Sequence, residues 1–197
     1  MRIKTVWFKQ AGAPRPPDEM ATVLASTIWK LADKAVTGLS KADYDIITPE
    51  RGFRILGEMI AFQVHLADRL LHGRVDDAQR AGMIRSLGKR LAEVMETNIR
   101  EVVGEDGFDY QSNFMDLLNR RGDDYATFQF SGGEPSYPAL RCLGNMIREV
   151  MTEADQPWVV DQIISIECPE IVETVKRAVN GLINPEPPKA RRPAAGN

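Results

Sequence analysis

Apolar residues recur along most of this chain at helical rather than alternating spacing. Between Asp76 and Gly104, the positions Ile84, Leu87, Leu91, Val94, Met95, Ile99 and Val102 fall within about 80° of one line at about 100° per residue. Such a stripe predicts an amphipathic helix with one buried face, opened by Asp76 or Asp77 and closed by Gly104. Another helix is predicted over 49–72, where Thr48 is the cap, Pro49 takes the first helical position, Glu50 puts an acid in the first turn and Gly73 supplies the stop. Its core side is Leu56, Ile60, Val64, Ala67 and Leu71. Val23, Ile28, Leu31 and Val36 mark an earlier helix from Asp18 to about Gly38.

Phe114, Leu117 and Leu118 form the apolar edge of a shorter helix over 110–121, ended by Gly122. Ser136 and Pro138 start the next, which runs to Met151, and Asp155-Gln156-Pro157 repeats the start signal. The final helical region, 158–183, contains Pro169, whose missing N–H and ring clash predict a kink or a split after Cys168. Two segments depart from helical spacing. Residues 3–8 are β-prone, and 125–130 alternate aromatic with small or polar residues, so a pairing of the two is expected. The expected fold class is therefore all-α, a helical bundle of about six or seven helices with at most a small two-stranded ribbon built from residues 3–8 and 125–130. One helical domain spans 1–183, and 184–197 form a Pro-rich tail of flexible, extended character.

Composition narrows the function classes. A 197-residue chain with 43% hydrophobic residues can build one core. With 25 Lys and Arg against 28 Asp and Glu, the net charge of −3 offers no field for a polyanion, so no nucleic-acid partner is expected. Cys142 and Cys168 are isolated, which fits reduced thiols rather than a disulfide framework. The basic first residues are not followed by an apolar run, and no uncharged stretch is long enough for a bilayer. The expectation is a soluble cytoplasmic protein with no membrane partner.

Candidate chemistry is sparse. The two histidines, His65 and His72, share the 49–72 helix with Glu58 and Asp68, and on a helical wheel Glu58, His65, Arg69 and His72 oppose the core side. They are expected to face water or a partner. Glu58 to His65 and His65 to His72 are each two turns apart, about 10.5 Å of rise, too far to share one ion. Only His65, Asp68 and His72 are local metal candidates, and they would need ligands from another helix. No Glu-x-x-His element of a di-iron bundle is present, and a solvated face is the plainer reading. The loop over 131–136 precedes a helix start, with Arg141 a turn inside, but it lacks the Lys-Ser or Lys-Thr of a phosphate loop and carries Glu134. There is no Gly-x-Ser-x-Gly elbow, and no cofactor is expected.

Small residues are out of place on two helices. Ala78, Gly82 and Ser86 recur at four-residue spacing away from the apolar stripe, although an exposed helical glycine costs about 1 kcal/mol relative to alanine. Gly57, Ala61 and Phe62 flank the polar side of the 49–72 helix. Both faces are expected to pack on another helix, within the chain or across a homodimer two-fold, and they are the candidate interaction surface. Trp29, Trp158, Tyr137, Phe128 and Phe130 are either core or the lining of a pocket for a small apolar ligand. No motif assigns an activity. The leading expectation is a non-enzymatic protein that acts by protein–protein interaction, as a homodimer or with another partner. The alternative is a small-ligand- or metal-binding helical enzyme or sensor with its site between helices.

Overall fold

The computed structural model describes residues 16–46 and 48–184. The expected strand over 3–8 and nearly all of the Pro-rich tail lie outside them. The described chain is all-α with a small ribbon: α1 (Pro17–Lys41), α2 (Pro49–Leu71), α3 (Asp77–Val103), α4 (Tyr110–Ala126), β1 (Phe130–Ser131), β2 (Glu134–Pro135), α5 (Tyr137–Arg148), α6 (Gln156–Gln162), a π-helical turn (Ile163–Glu167) and α7 (Cys168–Ile183). No described helix is long and apolar enough to cross a membrane.

Helix starts follow the local chemistry. The Thr48 side chain accepts from the Arg51 N–H, Asp76 from Gln79 at 2.8 Å and Asp109 from Ser112 at 2.9 Å, each relieving an orphan amide of a first turn. α1 instead begins directly on Pro17. Asp18 is not its cap; its carboxylate accepts the Ser86 hydroxyl of α3 at 2.6 Å. α1 also runs past Gly38, because the missing side chain there makes room for the Glu167 carboxylate, 2.9 Å from where a Cβ would stand.

α2 is the central helix. α1, α4, α5 and α7 pack around it, and α3 crosses between α1 and α4. It is buried almost all round, through Ile55, Met59, Phe62, Leu66, Ala67 and Leu71, which is the pattern of a helix enclosed in a core. Here the sequence reading needs correction. On the face of α2 opposite its expected core side, Glu58 and Phe62 are not solvated, because α4 covers them, so the packing expected of the Gly57, Ala61 and Phe62 flank is made within the chain; His72, at the end of that face, is exposed. Glu58 is buried in a two-pronged pair with Arg121 at 2.7 and 2.8 Å, and Phe62 meets the Tyr125 ring edge-on at 5.6 Å.

The same contacts explain why α4 does not stop at Gly122. Arg121, Asp124 and Tyr125 all face α2, so continuing the helix to Ala126 buries Tyr125 and satisfies Arg121. Residues 125 and 126 are thus helical, and the ribbon forms further on. Phe130 pairs with Pro135 and Ser131 with Glu134 across a turn of Gly132 and Gly133, both at positive φ. Pro169 does not split the final region. The chain widens into the π-helical turn, in which the Cys168 N–H reaches back to the Ile163 carbonyl, and α7 continues from there.

Candidate functional site

At the end of the bundle where α2 begins, α3 ends and α4 begins, the three helices do not close on one another. α3 and α4 are joined by residues 104–109, a loop too short to fill the space between them. The result is a cleft of about 360 Å³, within the range of small-ligand sites. Phe53 and Gly57 of α2, Met95 and Ile99 of α3, and Phe114 and Leu117 of α4 form its apolar floor. Gly57 matters twice: without a side chain it lets Leu117 approach, at 3.0 Å from an added Cβ, and it leaves the floor open.

The mouth is unusual for its exposed apolar groups. Val102 and Val103 are 56% and 53% exposed and Phe108 is 48% exposed; Val103 and Phe108 line the cleft directly. Glu50, Arg54 and Asn113 complete the rim. These three side chains make no hydrogen bond or ion pair with the described residues, so they are left to solvent or a ligand.

Charged groups beside the mouth are arranged for structure. Hydrogen bonds from Gln111 and Arg100 hold the Glu96 carboxyl below the usual range, and the Tyr110 hydroxyl and the Phe108 N–H do the same for Asp106. Asp109 is lowered by the Ser112 N–H, and Tyr110 is raised by the Asp106 carboxylate that accepts its proton. These contacts tie the ends of α3 and α4 to the loop between them.

The residues picked out from the sequence lie elsewhere or are already engaged. Gly57, Ala61 and Phe62 are covered by the chain itself, so they present no surface to a second copy. Gly57 alone of these reaches the cleft. Ala78 is exposed, Gly82 has nothing within 4 Å of an added Cβ, and Ser86 is tied to Asp18. His65, Asp68 and His72 do not converge. His65 is half-buried with its ring 5.5 Å from that of Tyr125, and burial lowers its pKa; both Asp68 oxygens are taken by Arg80 at 2.9 and 3.0 Å; His72 is exposed at the end of α2. Among the described residues, no group of three or more His, Cys, Asp or Glu is placed to hold a metal ion.

The five aromatics read as core or pocket lining divide between core and surface. Trp158 and Tyr137 are exposed, while Trp29, Phe128 and Phe130 pack against the core. Glu134 of the glycine loop is paired with Lys176, and burial raises both thiols, that of Cys168 to about 12. Sequence reasoning missed the cleft because its lining comes from three helices. One signal pointed to it, the crowding of Val102, Val103 and Phe108 around a glycine turn.

No protein-family model, no curated protein and no solved structure matches this chain.

Proposed function

We propose that this protein acts by binding rather than by catalysis, and that its site is the α2–α3–α4 cleft, which takes a small, predominantly apolar ligand. The observation that carries the reading is an open, apolar-floored volume of about 360 Å³ whose rim also exposes large hydrophobic side chains. A concave, mostly apolar surface with a few polar groups at its rim has the usual form of a small-ligand site. The unpartnered Glu50, Arg54 and Asn113 supply a polar end for orientation, and Phe53, Met95, Ile99, Phe114 and Leu117 supply the apolar contact.

The test is an equilibrium titration with N-phenyl-1-naphthylamine, a neutral apolar fluorophore whose emission rises on leaving water. Saturable binding to the full chain is expected, together with its loss in Ile99→Trp, which fills the cleft from α3. Equal binding by the wild type and the filled variant would place the probe elsewhere and remove the support for this reading.

A further inference from the structure

Resting on the reading of the cleft as a binding site, we infer that its ligand carries a positive charge: an ammonium group on an aromatic or alkyl body, with the body on the apolar floor and the charge at the mouth. Four rings, Phe53, Phe108, Tyr110 and Phe114, line the cleft. The face of an aromatic ring is its negative region, so a cleft walled by rings favours a cation over an anion. One such contact is already made within the chain, where the Arg100 guanidinium lies 5.4 Å over the Tyr110 ring. Phe108 is half exposed, so its ring remains accessible to another.

On the rim itself Glu50 and Arg54 offset one another and Asn113 is neutral, so the sign of the field is set by the α3–α4 side of the cleft. Residues 96–110, which run from the last turns of α3 through the connection into α4, hold Glu96, Glu101, Glu105, Asp106 and Asp109 against Arg100 alone. That is an excess of four negative charges. The acids interleave with the lining: Glu96 follows Met95, and Asp109 stands between Phe108 and Tyr110. Hydrogen bonds hold the Glu96, Asp106 and Asp109 carboxyls below the usual range, so they keep their charge in neutral solution. The C-terminus of α3 adds a partial negative charge, and Val103 of its last turn lines the cleft. The helix starts at this end do not reverse the sign. Thr48 and Asp109 already accept first-turn amides of α2 and α4, and Asp109 brings a full negative charge to the second of these helices. Over a Debye length of about 10 Å, charges so placed act on whatever enters the mouth.

Competition against N-phenyl-1-naphthylamine with three compounds of one phenylbutyl body reads the sign directly. 4-Phenylbutylamine should displace the probe at a concentration about threefold to tenfold below that of 4-phenylbutanol, with 4-phenylbutanoate weaker than either. Glu50 and Glu101 are exposed and make no hydrogen bond or ion pair with the described residues, so Glu50→Gln/Glu101→Gln removes two charges without breaking a fold contact. In that variant the amine's advantage over the alcohol should shrink by at least about twofold. Probe binding with the amine no better than the alcohol, with the acid ahead, or with an amine advantage that the variant leaves unchanged, would overturn the cationic ligand and leave the site standing. Absence of probe binding to the wild type would remove the site and the cationic ligand together.

Discussion

Two glycines inside helices should respond oppositely to the same substitution, because one faces open space and the other a packed helix. Gly82 in α3 has nothing within 4 Å of an added Cβ. Alanine there should stabilise the chain by up to about 1 kcal/mol through reduced backbone freedom in the unfolded state and better helix propensity. Gly144 in α5 is buried, and an added Cβ would stand 3.0 Å from Val160 Cγ1 and 3.4 Å from the Val160 Cα of α6. The tight contact is with the Val160 side chain, which must give by a few tenths of an ångström to admit the methyl group. Overpacking of that kind costs about 1–3 kcal/mol, which offsets the propensity gain and leaves Gly144→Ala destabilised by up to ~2 kcal/mol. The pair should differ by about 1–3 kcal/mol, or by several degrees in Tm at about 2–4 °C per kcal/mol for a chain of this size. Urea unfolding followed by far-ultraviolet circular dichroism measures both. Equal stabilisation of the two variants would refute the close α5–α6 approach. Destabilisation by Gly82→Ala would show instead that the small-residue face of α3 is covered, as a second copy of the chain would cover it.

Other expectations follow from buried polar groups. Arg121→Met strands the Glu58 carboxylate in the core and should cost about 3–5 kcal/mol, whereas the double variant Glu58→Met/Arg121→Met should recover most of that loss in chemical denaturation. Burial lowers the His65 pKa, so the folded chain takes up this proton less readily than the unfolded one. His65 should therefore contribute stability that is present above its unfolded pKa and lost as the pH falls through about 6.5 toward the folded value; His65→Gln should flatten that slope in melting experiments. Cys168, buried and pushed up to about 12, should resist a thiol-specific disulfide reagent until the protein unfolds, while half-buried Cys142 reacts slowly. Equal native reactivity of the two thiols would contradict the burial of Cys168.

Helices with strong local punctuation were legible from sequence. Thr48-Pro49-Glu50, the Asp76 cap and Gly104 mark α2 and α3 to within a residue or two, because caps and positive-φ glycines act over one turn. Where long-range contacts decide, the local signal misleads. Gly122 reads as a stop, but Tyr125 and Arg121 gain their partners on α2 only if the helix continues. Glu58 and His65 read as a face toward water or a partner, since helical spacing cannot show that α4 returns to cover α2; Gly57, Ala61 and Phe62, out of place beside a polar face, signalled a covering helix. Pro169 reads as a kink or a split, and the split is avoided by a π-helical turn before it. The cleft was least legible of all, because it is a failure of three helix ends to meet, and no single helix records that. Val102 shows the limit well: it continues the apolar stripe of α3, yet it sits 56% exposed beyond the point where the core ends.

The most direct test of the central claim is methyl chemical-shift mapping of the full chain during titration with N-phenyl-1-naphthylamine. The account predicts saturable shifts at Met95, Ile99, Val103 and Leu117, with Ile163, Val175 and the exposed Ile166 unmoved. Shifts centred on Ile166, or scattered over all faces without saturation, would contradict it.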